Sequence, residues 1–240
     1  MGSELQDIWA FLAESPLLGL TATLAAFSAG QWLWRGLGRS PLAHPVLLAI
    51  GLLIAFLAAT GTDYETYFEG AQFVHFLLGP ATVALAVPLF DQLPRIREQL
   101  LPITAAVILG SVSAALSAVL IGAALGASRE TLLSLAPKSV TSPIAMGITE
   151  RLGGLPSLTA GLVLTTGALG CLLAPLIFRL LRIRDEAARG LALGLAAHGF
   201  GTAQAFTIGP LAGAFAGLGL GLAGLVTALF SPLLAPLLGA

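Results

Sequence analysis

The chain has 240 residues, of which 57% are hydrophobic and only 10% charged. Soluble domains carry about 25% charged residues, so this composition, with a mean hydropathy of +0.94, excludes an ordinary water-soluble domain and points to an integral membrane protein. The 12 acids and 11 bases leave no basic excess for nucleic acid, and the single Cys171 excludes an internal disulfide.

The N-terminal stretch contains Glu4, Asp7 and Glu14 but no Lys or Arg. A cleavable signal peptide starts with a basic region, so 4–13 reads instead as a short interfacial helix. A crossing helix needs about 20 mostly apolar residues. Residues 16–34, 42–60, 70–90, 99–127 and 152–178 are charge-free, and no Asp, Glu, Lys or Arg follows Arg189. That last stretch can hold two spans, near 190–208 and 210–238. The expected fold is therefore all-α: one polytopic transmembrane domain over 1–240, with seven or eight spans.

Bases in short loops mark the cytoplasmic side. Arg35, Arg39, Arg95, Arg97, Arg179, Arg182, Arg184 and Arg189 fall on one side if the N-terminus is outside. The loop with Asp63, Glu65 and Glu69 has no base and fits the outside. The span at 99–127 then ends outside, and the one at 152–178 starts there. Residues 129–153 must leave and return on one side. Its PIAMGI run, 143–148, is too apolar for a solvated loop, which predicts a re-entrant hairpin broken near Pro137 to Ser142.

Irregular backbone at membrane depth survives only where protein buries it or where it lines a wet cavity. Three breaks are predicted: at Gly79-Pro80, from Pro137 to Pro143, and from His198 through Gly199 and Gly201 to Thr202. Gly79-Pro80 and Ser142-Pro143 both look like helix restarts, with Pro favoured in the first turn and a small or hydroxyl residue before it. Spans broken at 70–90 and 190–208 and running in opposite directions suggest an inverted repeat, with halves 16–127 and 129–238.

Helix N-termini attract anions, and transporters build substrate sites where broken helices meet. The candidate substrate-binding residues are Lys138, Ser139, Thr141, Ser142, Thr82, His198, Thr202 and Gln204. Lys138 supplies the charge and the others supply hydrogen bonds for a small carboxylate. Glu150 is a candidate for coupling or for pairing with Lys138 or Arg151, and His198 for proton carriage or substrate contact. His44 and His75 read as packing residues. The arginines from 179 to 189 read as a topology signal rather than a lipid or nucleic-acid site. The GxGxxG match at 219–224 lacks the strand and acidic residue of a dinucleotide site; Gly213, Gly217 and Gly221 make a smooth packing face instead. With no GxSxG, HExxH or CxxC pattern, no enzyme activity, metal or cofactor is expected.

Three stretches, LLGPATVALAVPLF (77–90), PKSVTSPIAMGITERLGGLPSLTA (137–160) and GLALGLAAHGFGTAQAF (190–206), together resemble the LrgB/CidB family of bacterial membrane proteins. They also resemble the LrgB-like part of the plastid glycolate/glycerate transporter. The resemblance covers roughly 65–240. Phe90 stands where the family often has Tyr. Gln204 stands where it often has Arg, which removes a positive charge near the proposed site. The resemblance implies two functions: transport of small monocarboxylates such as glycolate, glycerate, pyruvate or lactate, or holin- and antiholin-like control of murein hydrolases and lysis. It implies residence in the bacterial inner membrane and a small LrgA/CidA-like membrane partner. A second copy of the chain is a further expected partner. Simple lesion-forming helices do not need three broken helices with converging polar residues, which favours the transporter.

Overall fold

The computed structural model of the chain is described over residues 16–38, 43–234 and 236. The interfacial helix expected at 4–13, and Arg39, lie outside these residues. Among the described residues all regular structure is helical. The chain forms two compact units, 1–84 and 85–240.

The first unit holds α1 (Pro16–Gly36), α2 (Pro45–Thr60), α3 (Tyr64–Phe76) and α4 (Leu78–Ala84). Glycines let its helices approach closely. A Cβ on Gly19 would collide with the Tyr67 carbonyl, and one on Gly30 would approach the backbone of Pro45 and Ala49. Thr23 and Tyr67 share a 2.7 Å hydroxyl contact between α1 and α3.

The stretch 70–90 is interrupted, as expected. It is divided among α3, α4 and α5 (Ala86–Asp91), and the boundary between the units falls inside it. Gly79 and Pro80 lie in the first turn of α4, so the interruption itself is at Leu77.

The second unit continues with α6 (Leu93–Glu98), α7 (Leu100–Ala124), α8 (Arg129–Leu135), α9 (Ser142–Leu152), α10 (Pro156–Leu180), α11 (Glu186–Ile208) and α12 (Pro210–Leu234). By length and composition three described helices can cross a membrane: Leu100–Ala124, Pro156–Leu180 and Pro210–Leu233. Helix α7 buries Ile103, Val107, Ser111, Ala115 and Val119, and α10 buries Thr159, Val163, Gly167, Cys171, Ala174 and Phe178. Both sets recur at nearly every fourth residue, the spacing of a single helix face.

Between α7 and α10 the chain makes the expected hairpin. Ser128 caps α8 by accepting from Thr131 N–H at 3.3 Å. Helix α9 restarts at Ser142-Pro143 and ends on Gly153, whose φ of 79° suits a residue without a Cβ. The turn between them is buried at Ala136, Pro137 and Val140.

The stretch 190–208 carries the expected break at His198, but it is not the span that the sequence suggested. It does not cross; it doubles back at His198, where φ is 42° and ψ is −126°. In a continuous helix residues 193 and 201 would lie roughly 12 Å apart. Here a Cβ on Gly201 would collide with the Leu193 carbonyl. Gly209 comes back beside the Glu186 carboxylate. Helix α11 is thus a second hairpin, with arms on either side of His198. Helix α12 runs alongside its first arm, with Gly190 against the Ala212 carbonyl and Gly194 against the Ala216 carbonyl. The hairpins sit at opposite ends of α10, one before it and one after it.

Arg95, before α7, pairs with Asp185, after α10, at 2.9 Å. The basic groups at 95–97 and 179–189 share one end of the unit.

Candidate functional site at the hairpin tips

The two hairpin tips meet on α10 at Val163. Val163 packs with Val140 and Ala145 of the first hairpin and Ala223 of α12, and Leu195 of the second hairpin lies against this cluster. At the second tip, His198 Nε2 lies 3.0 Å from the Val163 carbonyl oxygen. A carbonyl can only accept, so Nε2 carries the proton and a neutral ring keeps Nδ1 as an acceptor. Phe200 presents its ring edge-on to the imidazole at 5.8 Å. Thr202 donates back to the His198 carbonyl at 2.9 Å.

Space for this tip comes from α10. A Cβ on Gly167 would lie 2.8 Å from the imidazole, and one on Gly170 would lie 2.8 Å from Ala197 Cβ. Sequence reading passed over both glycines, although Gly167 and Cys171 continue the every-fourth-residue stripe below Val163.

The first tip carries Lys138, half-buried. Its Nζ donates to the Ala114 carbonyl at 3.4 Å and to Ser139 Oγ at 3.3 Å. Neither partner is charged, and among the described residues no carboxylate pairs with it. Glu150 does not pair with it; it is exposed near the other end of α9. Thr141 occupies the N-cap position of α9 without a side-chain cap bond, and Ser142 and Pro143 begin the helix. The orphan N–H groups of that first turn point a partial positive charge outwards.

Helix α7 closes the site. A Cβ on Gly110 would lie 3.6 Å from Leu195 Cδ1, and the Ala114 carbonyl receives Lys138. Between them Ser111 is 8% exposed, and its Oγ has no hydrogen-bond partner. This hydroxyl was missed by sequence reading. The run GSVS at 110–113 inside a charge-free helix was the available signal.

The remaining candidates lie elsewhere. Gln204 sits six residues beyond the second tip, half-buried, against a cavity at the arginine-rich end of the unit. Gly79, Pro80 and Thr82 belong to α4 of the first unit. Gly199 and Gly201 flank the second tip. A separate buried hydroxyl cluster holds the base of the first hairpin. Thr149 and Thr159 hydroxyls meet at 2.8 Å, Thr159 reaches the Ser134 carbonyl at 3.2 Å, and Ser134 Oγ accepts from Leu155 N–H at 2.8 Å. These groups satisfy one another and serve to fix the hairpin.

Both tips fall inside the sequence stretches that resemble LrgB/CidB proteins, and comparison with known proteins agrees. A family model described as the LrgB-like family matches residues 23–237. The chain belongs to the LrgB-like family. Within that family it is 38% identical over 213 residues to the uncharacterized protein YxaC of Bacillus subtilis (strain 168), covering 88% of this chain and 91% of the relative. It is 37% identical over 190 residues to the uncharacterized protein YwbG of the same strain, covering 79% and 84%. It is 29% identical over 225 residues to the antiholin-like protein LrgB of Bacillus cereus (strain B4264), covering 94% and 98%. No solved structure matches it. The three long apolar helices and this LrgB-like membership make it a bacterial membrane protein.

Proposed function

We propose that this LrgB-like protein carries small monocarboxylates of the glycolate, glycerate, pyruvate or lactate class across the bacterial plasma membrane, coupled to a proton or sodium gradient. The observation that supports it most is the meeting of two oppositely directed hairpin tips at Val163, with Lys138 lacking a carboxylate partner among the described residues. A carboxylate leaving water needs compensation. Lys138, the N-terminus of α9 and the hydroxyls of Ser111, Ser139, Thr141 and Ser142 offer it. Helix N-termini at discontinuous helices are a recurring way to hold anions in transporters. Two hairpins entering from opposite ends also give each end its own gate, which suits alternating access. In this reading the bases at 95–97 and 179–189 face the cytoplasm, and the N-terminus is outside.

A second reading, antiholin-like control of murein hydrolase export and lysis with an LrgA/CidA-like partner, draws its support from the names of the Bacillus cereus relatives. Uptake of labelled glycolate, glycerate, pyruvate and lactate into proteoliposomes, with and without each gradient, separates the two. Saturable uptake by the purified protein alone supports the carrier. Absence of uptake for all four acids, with altered lysis of cells carrying the protein, supports the second reading.

A further inference from the structure

We infer that the arginine-rich end of the second unit holds a binding site for an anionic phospholipid headgroup, separate from the hairpin tips. A cavity of about 400 Å³ opens there, lined by Arg179, Arg182, Arg184 and Arg189 with the Gln204 and Thr207 side chains. That volume is in the range of small-ligand pockets, about 300–1,000 Å³. Arg189 is fixed in place: its Nε donates to the Ile183 carbonyl at 2.8 Å and its guanidinium stands 5.7 Å over the Phe178 ring. Arg179, Arg182 and Arg184 have no ion-pair partner among the described residues. The nearby Asp185 is occupied by Arg95 and by the Ala188 N–H.

Arg182 holds an unusual backbone conformation. It ends α10 in the position after the C-cap, with φ of 56°. Ile183 N–H reaches the Phe178 carbonyl at 2.9 Å and Arg182 N–H the Arg179 carbonyl at 3.3 Å, the pair of bonds for which glycine is the preferred residue. An arginine therefore occupies a backbone position that favours glycine. Gln204 adds a polar demand, since its buried Oε1 has no hydrogen-bond partner. A phosphate carrying a neighbouring hydroxyl satisfies both: guanidiniums fork onto the phosphate oxygens, and the hydroxyl donates to Gln204. The last turns of α10 expose Leu176, Ile177, Leu180 and Leu181, a surface for acyl chains beside the cavity. Basic pockets at the ends of transmembrane helices bind anionic headgroups in this way. The same chemistry could be offered by a soluble phosphate ester, and the test separates the two sources.

Delipidated full-length protein in detergent is given equal amounts of phosphatidylglycerol and phosphatidylcholine, and bound lipid is counted by native mass spectrometry. Phosphatidylglycerol should be retained roughly tenfold more tightly. Arg182→Gly combined with Arg179→Gln should remove that preference. Arg182→Gly alone should lower it with no loss of Tm, because glycine suits that backbone. Arg97→Gln, outside the cavity, should leave it intact. Equal retention of the two lipids, or a preference that survives the double substitution in folded protein, overturns the site. Displacement of phosphatidylglycerol by glycerol 3-phosphate or inorganic phosphate at matched concentration overturns the lipid source in favour of a soluble anion.

Discussion

His198 and Val163 are 35 residues apart in sequence, yet the imidazole of one hairpin tip donates to the backbone carbonyl of the helix that separates the two hairpins. The bond fixes where the second tip stops, beside the valine that also packs against the first.

The backbone at His198 predicts an unusual stability order. Positive φ costs a residue with a Cβ roughly 1–3 kcal/mol, and glycine far less. His198→Ala loses the imidazole bond and keeps the strain; His198→Gly loses the bond and relieves it. The glycine variant should be the more stable of the two by about 1 kcal/mol, measured as Tm in detergent. Under the carrier proposal, both should take up labelled acids poorly into proteoliposomes. An alanine variant more stable than the glycine variant would place His198 in ordinary helical geometry.

Gly167 should be coupled to His198. A Cβ at 167 would lie 2.8 Å from the imidazole and 3.2 Å from Phe200. Overpacking of this kind costs about 1–3 kcal/mol, so Gly167→Ala should lower Tm and uptake. Removing the ring removes the clash, so Gly167→Ala with His198→Ala should be less destabilised than the sum of the single changes. Simple additivity in the double-mutant cycle would show that the two do not touch.

Lys138→Ala should leave the protein folded. Loss of a charged hydrogen bond of about 1.5–3 kcal/mol should weaken carboxylate affinity roughly ten- to a hundredfold. Lys138→Arg should retain part of the activity where charge alone matters, and none where the space is tight. Arg97→Gln is the control. Wild-type uptake by Lys138→Ala would reduce the lysine to an anchor for the Ala114 carbonyl and remove the main charge from the carrier proposal.

The hydroxyls of Thr149 and Thr159 test the hairpin base. Thr159→Val keeps the shape and leaves the Thr149 hydroxyl and the Ser134 carbonyl short of a partner. That should cost about 1–3 kcal/mol with little change in substrate affinity. The double valine variant should recover part of the loss, because neither hydroxyl is then stranded. Guanidinium-melted midpoints of the three variants decide the point.

At the start of α3, Asp63 accepts from the Thr66 N–H at 2.7 Å and from its hydroxyl at 3.0 Å. These bonds hold its carboxyl below the usual carboxylate range. A depressed folded pKa means the cap is fully present above the ordinary value, about 3.9, and is lost as pH falls through the lower folded one. The protection factor of the Thr66 amide, its exchange taken relative to the intrinsic rate at each pH, should fall as pH drops through that acid window in the wild-type protein and show no such transition in Asp63→Asn.

The sequence by itself determined the helices that stand on composition. Charge-free length alone marks α7, α10 and α12, because hydrocarbon admits few charges and demands about 20 residues. Ser142-Pro143 marked the restart of α9 through local backbone chemistry, and the arginine distribution placed 95–97 with 179–189, as the Arg95–Asp185 pair bears out. Only the tertiary structure decided that 186–208 turns back. A crossing helix and a buried hairpin have the same apolar composition, and the difference rests on one backbone angle at His198 and on close contacts of Gly190, Gly194 and Gly201 with carbonyls far from their helical neighbours. That turn separates Gln204 from His198, moving it down the returning arm to the arginine cavity. Gly167 joins the site for the same reason: its role comes from His198, 31 residues away, which local pattern does not encode.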